Sequence, residues 1–421
     1  MYIIAVFLVT MLMGIPIAFA IGLTPFIYWI IGGGIPSIIF PQRMFSGSSI
    51  FVLMAIPFFV LAGNLMNYGG ITKRIIAFAQ AIVGNIRGGL GVVNVVASML
   101  FAGVSGSANA DVAAIGIVLI PEMVNEGYDK EFSAAITITS ATVGPIIPPS
   151  ISFVIYGSLA NVSVGALFLG GFIPGVLVGL GLILLVLIYS KLKNYPKTGT
   201  FSFQQIKSTF KDAVLAIIMP LIIIGGILSG VFTPTEAATV ATVYAFFVGY
   251  FVFKGFKLKD LFKIVLESVV ISASILIIVA FTSVIGWIIA EVRIPQLLVE
   301  WLLSVTNNKY VILLLINMGL LMMGTIIGPT TGLILFTPIL IPIAQSVGIN
   351  PIHLGVIMVL NLTIGLTTPP VGTCLYIGST ISKVPVPRLF VAMIPFLLSN
   401  ILVLFLVTYV PQLVLFLATK M

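Results

Sequence analysis

The sequence has 421 residues, of which 60% are hydrophobic and 7% are charged, and its formal net charge is +8. Soluble domains contain roughly a quarter charged residues, so this composition excludes an ordinary soluble protein, and its apolar content also excludes intrinsic disorder. A single Cys and a single His exclude an internal disulfide and a Cys/His metal cluster. No Gly-x-x-x-x-Gly-Lys-Ser/Thr loop is present, so ATP binding through that motif is not expected.

Apolar runs of the length needed to cross a bilayer, about 20 residues, recur along the whole chain. The first begins at Met1 without a basic leader or a small-residue cleavage site, so we expect a retained span and not a removed signal peptide. The pattern predicts an all-α polytopic membrane protein with about nine spans in the lipid bilayer. The predicted spans lie at about 3–30, 48–68, 131–157, 163–190, 212–230, 234–253, 264–290, 352–380 and 386–415.

Two further apolar stretches, at about 88–126 and 309–347, are interrupted in the middle by small and polar residues. The interruptions run from Gly103 to Asp111 and from Gly324 to Gly332. Unpaired backbone at membrane depth is tolerated only where protein or a water-filled cavity covers it. Each stretch is therefore predicted to be a re-entrant hairpin, which enters and leaves on the same side with its tip near the midplane.

The distribution of basic residues supports the two hairpins. With the N-terminus inside, 15 of the 19 Lys and Arg residues fall on the cytoplasmic side, together with a polar linker at about 191–211. Cytoplasmic loops are enriched in Lys and Arg, whereas a full crossing in place of one hairpin would invert every later loop. The positive charge is thus a signal of topology and not of nucleic-acid binding.

The two halves of the chain share their Gly and Pro residues at a constant offset of 221 positions. Gly103 corresponds to Gly324, and Pro148-Pro149 corresponds to Pro369-Pro370. An odd number of crossings separates equivalent spans, so the repeats are predicted to be inverted, which is typical of secondary transporters with a site at the repeat interface. We expect a first repeat over 1–190, a cytoplasmic linker and an extra span over 191–233, and a second repeat over 234–421.

Prolines interrupt one predicted span in each half, at about 131–157 and about 352–380. A proline lacks the N–H that would bond to the carbonyl four residues earlier, so Pro148 is expected to free the carbonyl of Gly144, and Pro369 that of Gly365. Pro145 and Pro149 would likewise free the carbonyls of residues 141 and 145. Carbonyls at the negative end of a half-helix suit a hard cation such as sodium.

Polar residues at the two predicted tips would complete these cation sites. Ser105, Ser107 and Asn109 would serve the first, and Thr325, Thr330 and Thr331 the second. The N-termini of the same half-helices attract an anion, so a carboxylate-bearing solute is expected between the tips. The candidate substrate contacts are Asn109, Asp111, Ser150, Thr325 and Thr373.

Asp111 is the one acidic residue well inside an apolar segment. An intramembrane ionisable residue is a functional candidate, and here it would be the proton carrier of a proton-coupled or sodium/proton antiporter that acts alone. The alternative is structural, because a negative charge stabilises the N-terminus of the returning half-helix. The scarcity of intramembrane acids favours sodium coupling over proton coupling.

Four motifs, in order, resemble the large membrane subunit of tripartite ATP-independent periplasmic (TRAP) transporters over essentially the whole chain. They are Phe101-Ala-Gly-Val-Ser-Gly-Ser-Ala-Asn-Ala-Asp111, Gly144-Pro-Ile-Ile-Pro-Pro-Ser150, Phe232-Thr-Pro-Thr-Glu-Ala-Ala238 and Thr367-Thr-Pro-Pro-Val-Gly372. The resemblance implies an elevator-type transporter that is driven by a sodium gradient and located in the bacterial inner membrane. It also implies a small four-helix membrane subunit, expected here as a separate polypeptide, and a periplasmic binding protein that delivers an organic anion.

Carried over by motif, the resemblance implies two sodium sites. The first would use Gly103, Ser105, Ser107, Gly144, Ile147 and Pro149. The second would use Thr330, Thr331, Gly365, Thr368 and Pro370.

The expected function is sodium-driven uptake of an organic anion such as a sialic acid, a sugar acid or a dicarboxylate. A structural or enzymatic membrane subunit is a third possibility, and the absence of a nucleophile–base pair or metal cluster argues against it. The sequence does not distinguish among the organic acids, since the binding protein makes part of that selection.

Overall fold

The computed structural model describes residues 6, 9–10, 13–15, 17–31, 36–197, 202–306 and 308–420. Throughout these ranges the regular structure is helical and contains no strand, which confirms the all-α fold predicted from the composition. Residues 3–5, 7–8, 11–12 and 16 of the first predicted span, at about 3–30, lie outside the described residues, as does the predicted cytoplasmic N-terminus, and the rest of that span includes a helix over Ile17–Ile30.

The described part of the first half contains nine helices. Among them are a pair joined by a short turn, which is the first predicted hairpin, and after it a helix that is broken in two. In chain order the helices are α1 Ile17–Ile30, α2 Ile39–Ser48, α3 Ala55–Tyr68, α4 Ile71–Val83, α5 Gly89–Ser105, α6 Ala108–Asn125, α7 Lys130–Ser140, α8 Ile151–Ala160 and α9 Val164–Leu192. Short 3₁₀ turns at Phe51–Met54 and Ala141–Val143 precede α3 and extend α7.

The described part of the second half contains ten helices, and the third to the ninth of them follow the order of α3 to α9. The helices are α10 Phe203–Leu228, α11 Pro234–Phe247, α12 Leu258–Glu291, α13 Ile294–Val305, α14 Lys309–Gly324, α15 Pro329–Ser346, α16 Pro351–Gly365, α17 Thr373–Ser382, α18 Val386–Tyr409 and α19 Gln412–Ala418. The starts of α6 and α15 differ by 221 positions, and so do those of α7 and α16, which is the offset found in the sequence. The repeat boundaries and their inverted orientation stay predictions.

Eight helical segments in the described part of the chain are long and apolar enough to cross a membrane. Six of them coincide with predicted spans, and the other two are α6 and α15, the second arms of the predicted hairpins. The predicted spans at about 131–157 and 352–380 are not continuous helices, because α7–α8 and α16–α17 are separated at the Pro-Pro sequences. The sequence predicts an interruption of both spans at these prolines, and the structure confirms the two interruptions.

Local sequence explains where several helices begin and turn. Thr233 and Glu236 form a reciprocal capping box at the start of α11, with Pro234 at the first helical position. The turn between α5 and α6 is only two residues long, and Gly106 adopts φ +59° there. Glycine is favoured in this left-handed conformation because it lacks a Cβ, so the chain reverses sharply and α6 returns beside α5.

Buried asparagines connect each hairpin to the broken helix of its own half. The Nδ2 of Asn94 on α5 donates to the Oγ1 of Thr137 on α7 at 2.6 Å. In the second half, the Nδ2 of Asn361 on α16 donates to the Oδ1 of Asn317 on α14 at 2.8 Å. Such bonds between apolar helices are each worth about 0.6–2 kcal/mol. They make each hairpin and its broken helix a single packed unit.

The linker after α9 is shorter than the predicted 191–211, because α10 already begins at Phe203. Its first residues are fixed to the end of the first hairpin unit, where the Tyr195 hydroxyl donates to Asp129 Oδ2 at 2.8 Å and Lys193 lies 3.5 Å from the same carboxylate. Burial raises the pKa of Tyr195 above its usual value, and the bond to Asp129 adds to that effect. The phenol therefore remains a hydrogen-bond donor at neutral pH.

The close approach of α14 and α16 generates a test of packing. A Cβ added at Gly365 would collide with the backbone of Gly324, which no side-chain rotation can relieve. Gly365→Ala should therefore lower the free energy of unfolding by about 1–3 kcal/mol. The measurement is the midpoint of thermal unfolding in detergent, which should fall. The matched control is Gly319→Ala on α14, where an added Cβ meets no atom within 4 Å. Equal midpoints for both variants would refute the close contact.

Candidate functional site

The two hairpin tips face a common cavity of about 400 Å³. One wall is formed by α3 and α12, and the other by both tips together with the breaks between α7 and α8 and between α16 and α17. None of the residues that line it is charged. The lining residues are Val60, Gly63, Asn64, Asn67, Phe101, Ser105, Gly106, Ser107, Ala108, Asn109, Ala110, Pro145, Ile151, Ser152, Val270, Ile271, Ser274, Ile275, Pro329, Thr330 and Leu366.

Three helix N-termini open onto this cavity. They belong to α6, α8 and α15, whose first residues Ala108, Ile151 and Pro329 all line it. The first N–H groups of a helix have no partner within the helix, and the helix dipole places a positive partial charge there. These helix ends contribute positive partial charge to the cavity wall without any basic side chain, which suits a small anion, and the one acidic group near them among the described residues is the Asp111 carboxyl in the first turn of α6.

The first tip packs directly on the first proline break. A Cβ added at Gly103 would lie 3.4 Å from the Pro148 carbonyl oxygen, and one at Gly106 would lie 3.1 Å from that of Pro149. Glycine at both positions lets the tip backbone approach these carbonyls closely. The Ser105 hydroxyl accepts a bond from the Ser107 N–H at 3.2 Å, which keeps it at the turn. Carbonyl and hydroxyl oxygens are thus concentrated at one end of the cavity.

Asp111 is fully buried behind the first tip. One carboxylate oxygen accepts a hydrogen bond from Ser105, and the other has no hydrogen-bond partner among the described residues. That second oxygen lies against Gly144, where an added Cβ would collide with it. Asp111 also lies in the first turn of α6, so both interpretations of its role, helix stabiliser and ionisable functional group, are compatible with its position.

The second tip packs on the second break through backbone contacts. The N–H of Val371 donates to the Thr325 carbonyl at 3.1 Å, and Gly324 lies against Gly365. The hydroxyl of Thr325 bonds to its own helix, through Met322 O at 2.8 Å. The two breaks differ in exposure, since residues 141–150 are all buried whereas 370, 371 and 373 are exposed.

One contact joins the two halves of the chain at the cavity. Asn109, at the first tip, accepts a hydrogen bond from the Thr373 hydroxyl at 2.9 Å and a second from the Cys374 thiol at 3.1 Å. Thr373 and Cys374 begin α17, which follows the second break. The site therefore draws residues from both predicted repeats.

Most of the carbonyls that the prolines were expected to free accept other bonds. The carbonyl of Ala141 accepts from the Gly144 N–H at 3.0 Å, that of Gly365 from the Thr368 N–H at 3.0 Å, and that of Pro145 from the Ser150 hydroxyl. A carbonyl oxygen has two lone pairs, so each can still coordinate a cation. The donor set fits sodium, which prefers oxygen ligands.

Only four of the predicted site residues line the cavity, namely Ser105, Ser107, Asn109 and Thr330. Ser150 caps α8 through the Phe153 N–H, and the Ile147 side chain packs at Gly175, away from the cavity. The remaining predicted residues are immediately behind the lining or in the breaks. These are Gly103, Asp111, Gly144, Pro149, Thr325, Thr331, Gly365, Thr368, Pro370 and Thr373.

The polar residues of the opposite wall are not among the site residues predicted from the sequence. Asn64 and Asn67 on α3 and Ser274 on α12 line the cavity, and Asn64 also donates to Ser268 at 2.8 Å. The three-residue spacing of Asn64 and Asn67 puts them on one face of a helix. Two asparagines three residues apart in an otherwise apolar span are the sequence signal that could have identified this wall of the cavity.

Comparison with known proteins agrees with this architecture. Residues 4–413 match the family model described as "Tripartite ATP-independent periplasmic transporter, DctM component". The chain belongs to this family of TRAP transporter permeases. It is 41% identical to the sialic acid TRAP transporter large permease SiaM of Vibrio cholerae, covering 95% of this chain and 93% of that protein. It is also 39% identical to the C4-dicarboxylate large permease DctM of Rhodobacter capsulatus, with coverage of 95% and 94%.

A solved structure shares the fold. The Alcanivorax borkumensis YdaH transporter superimposes with a TM-score of 0.60, covering 84% of each chain at 15% identity. This TRAP permease is therefore a multi-pass transport subunit and not an enzyme.

The bond between the two halves can be measured with a double-mutant cycle. Asn109→Ala and Thr373→Val each remove one partner, so their effects on the free energy of unfolding in detergent should be non-additive by about 1 kcal/mol. Thr380→Val is the matched control, because the Thr380 hydroxyl bonds only to Tyr376 O on its own helix. A coupling no larger than that of the Asn109 and Thr380 pair would mean that the bond does not form.

Proposed function

We propose that this TRAP permease carries out sodium-gradient-driven uptake of an organic anion across the bacterial inner membrane. The observation that carries the proposal is the uncharged cavity into which three helix N-termini and two oxygen-rich tips converge. The N-termini favour an anion, and the carbonyl and hydroxyl oxygens favour a hard cation. Binding the two together neutralises charge in a membrane interior, where an isolated charge is costly.

The class of substrate is supported by the names of the relatives. These proteins are described as permeases for sialic acid, for C4-dicarboxylates and, in Oleidesulfovibrio alaskensis, for isethionate. All three substrates are small organic anions. Isethionate is a sulfonate, whereas sialic acid and the C4-dicarboxylates carry carboxylates, and the two relatives described above transport the latter kind. The transported solute of this chain is proposed to carry a carboxylate, with sialic acids, sugar acids and dicarboxylates as the first candidates.

Sodium is proposed to bind where each tip meets its break. The first site would use Gly103, Ser105, Ser107, Gly144, Ile147 and Pro149, with Ile147 contributing only its carbonyl. The second would use Thr330, Thr331, Gly365, Thr368 and Pro370. Cβ atoms added at Gly103 and Gly106 would lie 3.4 and 3.1 Å from the Pro148 and Pro149 carbonyl oxygens, and this close packing of the tip on the break supports the first site.

An elevator movement is proposed for the unit made by the hairpins and broken helices. That unit faces α3 and α12 across the cavity, and α12 has 34 residues, or about 50 Å at 1.5 Å per residue. A small four-helix membrane subunit and a periplasmic binding protein are proposed as the partners. The N-terminus is proposed to be cytoplasmic.

Reconstitution with these partners tests the coupling ion. Uptake of N-acetylneuraminate or succinate should require an inward sodium gradient. Ser107→Ala and Thr368→Ala should each raise the sodium concentration for half-maximal uptake about tenfold, the effect of losing roughly 1.4 kcal/mol of binding free energy. Thr380→Ala, an exposed threonine outside the site, is the control. Uptake that persists without sodium under a proton gradient alone would reject the proposal.

Asp111 provides the test against a proton-coupled antiporter. Asp111→Asn preserves the shape of the side chain and removes its ionisation. If sodium is the coupling ion, uptake at saturating sodium should stay within about threefold of the parent rate, because the amide oxygen still accepts from Ser105. If Asp111 carries the proton, the variant should lose transport altogether, and that loss would favour the antiporter.

A further inference from the structure

A second cavity, of about 310 Å³, is also lined by α12, closer to the C-terminal end of that helix than the first cavity. It is bounded by α2 and α12 on one side and by the end of α8 and the middle of α15 on the other. Its lining consists of Arg43, Ser46, Gly47, Leu159, Thr282, Ser283, Gly286, Ile334 and Pro338. The residues of α12 that line the two cavities, Val270–Ile275 and Thr282–Gly286, begin about 18 Å apart along the helix axis.

The second cavity contains an unpaired cation. Neither ion pair among the described residues includes Arg43, and the guanidinium instead lies 5.9 Å from the centre of the Trp287 ring. Arginine presents five N–H donors in a planar fork that matches a carboxylate. Arg43 is exposed beside this mainly apolar cavity and has no acidic partner among the described residues, so its guanidinium donors are available to a ligand.

The same cavity contains an unpartnered polar group. Thr282 is 4% exposed, and its Oγ1 has no hydrogen-bond partner in the described part of the chain. A buried hydroxyl without a partner costs about 1–3 kcal/mol. The neighbouring Ser283 hydroxyl is already bonded to Val279 O at 2.8 Å. Thr282 and Arg43 therefore offer hydrogen-bond donors that no protein group uses.

We propose that this cavity is a second anion site, in which Arg43 and Thr282 bind the carboxylate of the transported solute. This second site rests on the proposed function for the identity of the anion and for the direction of transport. The topology predicted from the sequence puts Arg43, with Arg293, Lys309 and Lys420, on the outer side, so the site would receive the solute from outside. Hairpin residues Ile334 and Pro338 form its opposite wall, and movement of the hairpin unit along α12 would then carry the solute from one cavity to the other.

The test uses the charge selectivity of thiol labelling and needs neither sodium nor transport. An added Cβ at Gly286 meets no atom within 4 Å, so Gly286→Cys places a thiol in the cavity without a clash, and the native Cys374 is buried. The rate of labelling is compared for methanethiosulfonates that carry a sulfonate or a trimethylammonium group. Arg43→Gln should lower the sulfonate-to-trimethylammonium ratio of rates about tenfold, and Arg43→Lys should retain it.

Ser274→Cys is the matched control, on the same helix but in the first cavity. It lies about 18 Å from Gly286 along the axis, beyond the roughly 8 Å Debye length at physiological salt, so Arg43→Gln should leave its ratio unchanged. In a second arm, succinate or N-acetylneuraminate should slow the labelling of Gly286→Cys at least threefold, and Arg43→Gln should abolish this protection.

The two arms separate the failure of this proposal from the failure of sodium coupling. A ratio at Gly286→Cys that is insensitive to Arg43→Gln, or equal changes at Ser274→Cys, would overturn the anion site even if sodium-driven uptake is demonstrated. Protection by neither organic anion would also overturn it. Selective labelling together with protection would establish the site even if uptake proves to be driven by another ion.

Discussion

The structure depends on one constraint, that backbone polar groups inside a membrane need partners from the protein. Two proline breaks and two hairpin tips each leave such groups without helical partners, and lipid supplies none. The chain resolves this by packing each tip against the break of its own half, with Gly103 and Gly106 on the first break and Gly324 against Gly365 on the second. The irregular backbone is thereby concentrated at one place, where its N–H and carbonyl groups can bind ligands as well as hydrogen-bond to other protein groups.

Small residues make these contacts possible, and buried amides hold them in register. A Cβ at Gly365 would collide with backbone, and one at Gly103 would lie 2.7 Å from a Pro220 side-chain carbon. Asn94 and Asn317 then connect the hairpins to the helices that contain the breaks. The hairpins and broken helices are consequently a packed unit, whereas the first cavity lies between this unit and α3 and α12, and the second between it and α2 and α12. A unit that is tightly packed internally and loosely packed at one boundary suits a rigid-body movement.

The two halves are similar in sequence and unequal in structure. Residues 141–150 are entirely buried, while Pro370, Val371 and Thr373 are exposed. The surroundings of the tips differ as well, because Pro220 of α10 lies beside Gly103, whereas the nearest atoms to Gly324 all belong to α16. The bond from Thr373 to Asn109 joins the two halves directly. Two repeats of one sequence pattern therefore provide chemically different sides of a single site.

The sequence by itself determined the helical class, the two interrupted hairpins, the broken helices and the 221-residue offset. Each of these follows from local rules, since apolar length sets a span, proline ends an i to i−4 ladder, and glycine permits a left-handed turn. Only the tertiary structure decided that three helix N-termini share one cavity, that Asn64 and Asn67 face it, and that Ser150 and Thr325 use their hydroxyls elsewhere. It also placed Arg43 beside Thr282, which is 239 positions away in the chain. Such proximity depends on the packing of distant helices, and an apolar helix can pack in many orientations, so no local pattern specifies it.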